Sequence, residues 1–145
     1  MRALKILFVS PEVEPFVKVG GLADMVGALP KELAKLGHDV RIVCPAYGSV
    51  KRVGEWRALA APLGVDVGPV TQWARTWETS VPDTAVPVYF LENHDHFARP
   101  EVYTGPWGAC DDNDRRFAFL CRGALALCQQ LDWMPDVIHG HDWTT

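Results

Sequence analysis

Lys18 stands two residues ahead of a glycine pair, Gly20 and Gly21, in the stretch PFVKVGGLADMVGALP that runs from Pro15 to Pro30. A periodic apolar pattern with few charges follows the pair. Glycine has no Cβ, so two in a row let a backbone and a ligand approach closely. A helix N-terminus beyond them offers unpaired N–H groups and a partial positive charge. With the mobile ammonium of Lys18 added, the arrangement suits a phosphate or pyrophosphate. The competing reading is a plain turn with a solvated lysine, and residue types alone leave the two open. Neither G-x-G-x-x-G nor G-x-x-x-x-G-K-[ST] occurs here, so the loop is neither the dinucleotide fingerprint nor a P-loop.

Three further clusters carry groups capable of chemistry. Glu12 and Glu14, in SPEVEPF, lead into the glycine loop. They can accept hydrogen bonds from sugar hydroxyls, brace the loop, or sit solvated on it. In HGHDW, His139 and His141 are two apart, so on a strand they point the same way. With Asp142 they could ligate a metal, and NHDHF (93–97) repeats the His-x-His spacing. Neither carries the longer histidine spacing of a binuclear hydrolase, and no H-E-x-x-H appears, so no metal site is expected. The cluster suits carbohydrate, with Trp143 facing a sugar ring and Asp142 taking hydroxyls, or a structural arrangement. In DDNDRRFAFL, Asp111, Asp112 and Asn113 read as helix caps, with Arg115 and Arg116 one turn in on a solvated face.

These groups need elements to hold them. A chain of 145 residues predicts one core. With 48% hydrophobic and 22% charged residues the composition is that of a globular chain. The net charge of -4 and the lack of a Lys/Arg-rich stripe argue against a nucleic-acid surface. No apolar run reaches about 18 residues, so no membrane span is expected. MRALKILFVS has too short an apolar centre, Ile6 to Val9, for a signal peptide and reads as a first strand of a cytoplasmic protein. The four cysteines, Cys44, Cys110, Cys121 and Cys128, form no CxxC pair and read as reduced thiols, with Cys121 and Cys128 on one helix face.

Leu4–Val9 reads as a strand buried on both faces. Leu22, Met25, Val26, Leu29, Leu33 and Leu36 give a helix with one apolar face, which Pro30 should kink or split and Gly37 should end. Val40–Cys44 gives the next strand and completes a βαβ unit. GVDVGPV and QWARTWETSV read as short strands of a hairpin-like excursion, VPVYFLEN as a buried strand, and 94–110 as an ordered loop. A helix to about Leu131 follows, with Phe117, Leu120, Ala124, Leu127 and Cys128 inward, and then a strand at Val137–His139. Alternating strands and helices predict an open α/β sheet, with ligands at the carboxyl ends of its strands. The loops after Ser10, Leu91 and His139 should share that edge.

The stretch ILFVSPEVEPFVKVGGLADMVGALPKELAKLGHDVRIVCPAYG resembles the opening of bacterial glycogen synthases and plant starch synthases. The family pattern of a lysine, any residue, two glycines, a leucine and then an Asp is met by Lys18, Gly20, Gly21, Leu22 and Asp24, with Met25 where valine is usual. FARPEVYTG, DNDRRFAFL and PDVIHGHDW follow in the family's order, so the resemblance covers nearly the whole chain and is weakest at 51–86. It implies the first part of the N-terminal, Rossmann-like domain of a GT-B glycosyltransferase, an open and mostly parallel α/β sheet. Residues 1–145 would be a partial N-terminal domain, with the C-terminal domain absent. The implied reaction transfers glucose from ADP-glucose (or UDP-glucose) to the non-reducing end of an α-1,4-glucan, with retention and without metal or cofactor.

Carried over by resemblance, Lys18 contacts the donor's phosphates, and Gly20 and Gly21 let the loop approach the donor. Glu12 and Asp24 order the loop and the sugar end of the cleft. Tyr103, Asn113, Asp142 and Trp143 lie toward the glucan acceptor. The donor-site histidine of the family falls beyond Thr145, so no catalytic residue is assigned within the chain. The expectation is that the isolated chain has no synthase activity, and that its last strand exposes an apolar edge prone to self-association. The alternative is a stand-alone half-domain that binds glucan or nucleotide without turnover. The partners implied are the sugar nucleotide and the glucan, with no nucleic acid and no membrane. The setting would be the bacterial cytoplasm, or a plastid in a plant.

Overall fold

Ile6, Leu7, Phe8 and Val9 succeed one another without a polar break, and all four are buried. A strand has two faces, so such a run fits only where both are covered. The computed structural model describes residues 1–145 and places this run in β1 (Lys5–Val9), inside a sheet. Its partners are β2 (Asp39–Pro45) on one side and the last strand, β9 (Val137–Gly140), on the other, both parallel to it. Beyond β2 lies β6 (Pro87–Glu92), also parallel. The expected open α/β sheet is therefore present, with four parallel strands whose carboxyl ends share one edge.

The other side of the sheet turns antiparallel. β3 (Arg57–Ala58), β4 (Leu63–Val67) and β5 (Val70–Ser80) form the excursion between β2 and β6. β5 bonds to β6 through Arg75–Ser80 and to β4 through Val70–Ala74. The stretch GVDVGPV, expected as one strand, is broken by the turn: Gly68 has φ 63° and Pro69 follows, so β4 ends at Val67 and β5 starts at Val70. A positive φ is cheap for glycine, and the proline behind it supplies no ladder N–H.

Helix α1 (Gly21–Lys35) continues through Pro30 as one helix, so the expected alternative of a split does not occur. The proline ring is buried, so its packing offsets the lost N–H bond. The helix buries its smaller residues, Ala23, Val26, Gly27 and Pro30, while Leu36 is 64% exposed. Helix α2 (His94–Phe97) and the hairpin of β7 (Thr104–Gly105) with β8 (Gly108–Ala109) lie within the expected ordered loop. Helix α3 (Asn113–Gln130) buries Phe117, Leu120, Ala124, Leu127 and Cys128 as its spacing predicts.

Two readings of the start of α3 are corrected. Asp112 is the N-cap residue but makes no capping bond; its carboxylate is taken by Arg99, with Nη1 at 3.0 Å. A charged, two-point partner outcompetes a backbone amide. Arg116, expected on a solvated face, is completely buried. The outer edge of β9 stays open, with Val137 42% and Ile138 53% exposed. No helix is long and apolar enough to cross a membrane, and all four cysteines are free.

Candidate functional site

Three loops meet at the carboxyl edge of the parallel strands. The first leaves β1 at Ser10, whose hydroxyl donates to the Glu12 carbonyl at 2.7 Å. Val13 and Val17 then pair with each other, which folds residues 13–17 back on themselves. That fold aims Glu12 inward, and the residue is 2% exposed. Oε1 of Glu12 accepts the N–H groups of Val19 at 3.0 Å and Gly20 at 2.9 Å. Oε2 accepts the hydroxyl of Tyr103, from the second loop. A buried carboxylate is stable only when so satisfied, and these three donors satisfy it.

Glu12 therefore occupies two of the amides that the glycine loop could offer a ligand. The next two remain: no hydrogen bond within the protein reaches the N–H of Gly21 or Leu22, at the first turn of α1. Lys18 lies half-exposed beside them, its Nζ 2.8 Å from Oδ1 of Asp24. That bond to Asp24 holds the Lys18 ammonium above the ordinary lysine range, against a smaller opposing effect of desolvation. An anion entering the loop would share or displace the Asp24 carboxylate.

The two glycines have no internal reason to be glycine. Gly20 is extended, at φ -150°, and Gly21 is helical. A Cβ added at either position would meet nothing within 4 Å. The contrast is Gly27 on the same helix, where an added Cβ would lie 2.9 Å from the Glu14 carbonyl oxygen. The open space above Gly20 and Gly21 faces outward from the protein.

Beside the loop runs a groove of about 740 Å³, lined by Lys18, Lys51, Glu14, Glu101 and Tyr103 among others. Burial first, and then the bond to Glu12, push the Tyr103 hydroxyl well above the usual tyrosine range, so it stays a neutral donor. Its ring lies 5.9 Å from that of Trp143, which comes from the third loop. Trp143 also meets Phe117 edge-on at 5.5 Å and is 64% exposed. Asp142 adopts φ 69° and accepts the N–H of Trp143 at 2.8 Å.

Among the expected site residues, Lys18, Gly20, Gly21, Asp24, Glu12 and Tyr103 form one connected cluster, and Trp143 adjoins it through Tyr103. Asn113 stands behind this surface. Its Nδ2 donates to the Tyr103 carbonyl at 2.9 Å, and its Oδ1 accepts from Arg116. His139 and His141 have ring centroids 4.2 Å apart and both lie against Phe8. No third His, Cys, Asp or Glu joins them in a group that could hold a metal. The sequence reading missed Arg116 and Lys51. The signal for Arg116 was present, since it falls in step with Asn113, Leu120 and Ala124 on the buried face of α3. Lys51 lies in the stretch with least periodicity.

The open, mostly parallel α/β sheet, with a glycine loop at its carboxyl edge, has the architecture of one part of a GT-B glycosyltransferase. The chain belongs to the starch synthase catalytic domain family, whose model matches residues 5–145. It is 48% identical over 143 residues to a glycogen synthase of Geotalea uraniireducens, covering 98% of this chain and 29% of that protein. It is 45% identical over 150 residues to glycogen synthase 1 of Geobacter sulfurreducens, covering 100% and 29%. The catalytic domain of starch synthase IV from Arabidopsis thaliana, bound to ADP and acarbose, superposes with a TM-score of 0.88 at 33% identity over 99% of this chain and 29% of that one. The chain thus spans about 29% of the length of the relatives it matches.

Proposed function

We propose that this chain forms one wall of the cleft of a glucan synthase, which transfers glucose from ADP-glucose to the non-reducing end of an α-1,4-glucan with retention, in the cytoplasm. The observation that carries the reading is the glycine pair. Glycine costs backbone entropy, yet neither its φ nor its packing calls for it at Gly20 or Gly21. The gain comes from a ligand held close to the backbone. Free amides at Gly21 and Leu22, the start of a 15-residue helix and the Lys18 ammonium suit a diphosphate there. The likeness to a starch synthase bound to ADP and acarbose supports the same reading.

Chemically, breaking the bond between glucose and diphosphate builds negative charge on the leaving group. Lys18 and the helix amides are placed to stabilise such charge as it develops. Glu12 holds the loop from beneath and Asp24 holds Lys18 until the donor arrives. Tyr103 and Trp143 present adjoining aromatic faces suited to sugar rings, with Asp142 beside them to take hydroxyls and Asn113 supporting Tyr103 from behind. Since the chain spans 29% of its relatives, the remaining wall of the cleft is needed for attack geometry, and this chain alone extends no glucan.

The test is ADP binding by calorimetry to the wild type, to Lys18→Gln and to Gly21→Ala. Loss of Lys18 should weaken binding by about tenfold. Gly21→Ala should weaken it comparably while leaving thermal stability unchanged or slightly raised. Equal affinity in all three proteins would sink the proposal.

A further inference from the structure

Arg116 is the largest of the fully buried side chains, and it forms no ion pair with a carboxylate. Its guanidinium instead holds backbone. Nε donates to the His96 carbonyl at 2.7 Å, Nη1 to the Val102 carbonyl at 2.9 Å, and Nη2 to the Glu101 carbonyl at 2.8 Å. Nη1 also donates to Oδ1 of Asn113 at 2.9 Å. One planar fork thus clamps both ends of the strap that runs from His96 to Val102. Lysine, with three donors on one nitrogen, cannot reproduce that spread.

The strap leads directly into Tyr103. Asn113, itself oriented by Arg116, fixes the Tyr103 carbonyl. The Tyr103 hydroxyl donates to Glu12, and Glu12 holds the amides of Val19 and Gly20. An unbroken series of hydrogen bonds therefore joins the middle of the molecule to the backbone beside Lys18. A buried cation without a counter-ion is a costly way to fill a core. What it supplies that an apolar side chain could not is a fixed position for several carbonyls at once.

We propose that Arg116 is a positioning residue for the glycine-loop site, acting through the 96–102 strap, Tyr103 and Glu12. It touches no ligand itself. The inference rests on the phosphate-binding reading only in treating the loop as a site; the relay of hydrogen bonds is a separate claim with its own readout.

That readout is amide hydrogen exchange, in the protein that carries this chain, for wild type, Arg116→Lys and Tyr103→Phe. Arg116→Lys should speed exchange about tenfold in residues 96–103 and at Val19 and Gly20, and leave Ile42, Val43 and Val88 in the central strands as they were. Tyr103→Phe keeps the ring and the strap, and should speed Val19 and Gly20 alone, by about fivefold. An even rise throughout the sheet in Arg116→Lys would make Arg116 an ordinary core residue and overturn the proposal. So would unchanged exchange at Val19 and Gly20 in Tyr103→Phe, which decides the matter even if Arg116→Lys does not fold. ADP titration of the same three proteins separates the two readings. Expected exchange in a protein that binds no ADP supports the relay and defeats the phosphate assignment.

Discussion

At the scale of single residues, Glu12 does more than any other group near the candidate site. It is almost fully buried, and it receives three hydrogen bonds, two from its own loop and one from distant Tyr103. Glu12→Ala would strand two backbone amides and one hydroxyl in a space that offers no substitute acceptor. Each stranded group costs roughly 1–3 kcal/mol, partly recovered by entering water. We expect Glu12→Ala to lose about 3 kcal/mol and Glu12→Gln about 1 kcal/mol, because the amide oxygen keeps the two backbone bonds and the Tyr103 hydroxyl can rotate to accept. Urea unfolding measures both: equal losses would show that the amide cannot stand in for the carboxylate, and no loss in Glu12→Ala would show that the loop does not depend on Glu12. The sequence placed Glu12 in the right loop but left its role open between sugar contact, brace and solvated charge. The deciding partner, Tyr103, lies 91 residues away, and no local pattern encodes a contact at that distance.

At the scale of elements, α1 shows how one helix uses glycine in two ways. Gly27 is a packing glycine, because an added Cβ would lie 2.9 Å from the Glu14 carbonyl oxygen and 3.1 Å from its Cβ. Backbone cannot give way as a side-chain end can. Gly27→Ala gains about 1 kcal/mol of helix propensity and loses about 1–3 kcal/mol to the clash. We expect a net loss of about 1 kcal/mol, together with a shift of the loop between Glu14 and Lys18. Thermal unfolding checks the sign, and a stabilised Gly27→Ala would mean that α1 can slide away from the loop. Pro30 shows the same dependence on surroundings. Its sequence position predicted a kink or a split, but its ring is buried and the helix is not split. Local propensity was overruled by packing that only the assembled fold supplies.

At the scale of the whole molecule, His141 couples the end of β9 to the core. It is 3% exposed, stacks on Phe8, and its Nε2 has no hydrogen-bond partner. Burial, and then the neighbouring His139, lower its pKa from 6.5 to about 4. The unfolded chain therefore binds a proton more readily than the folded one between those values. Stability is complete above pH 6.5 and falls as pH drops toward 4. The loss should reach about 2 kcal/mol by pH 5. His141→Gln should flatten that part of the profile while costing some stability at neutral pH. Urea unfolding at pH 7.5 and at pH 5 compares the two proteins, and the same pH dependence in both would remove His141 from the account.

Some of this protein was determined by its sequence alone. The unbroken apolar runs at 6–9 and 88–91 require strands covered on both faces, because each residue in them must find an apolar neighbour whichever way it points. The periodic faces of α1 and α3, and the K-x-G-G-L pattern before a helix, are also local, and they were enough to indicate the sheet type and the family. Only the tertiary structure decided what those parts do to one another. It buried Arg116 under the 96–102 strap, gave Lys18 to Asp24, turned Glu12 away from solvent, and set Tyr103 against Trp143. Such pairings depend on which strand ends the sheet brings to one edge. Strand order is a property of the closed fold, and no stretch of chain carries it locally.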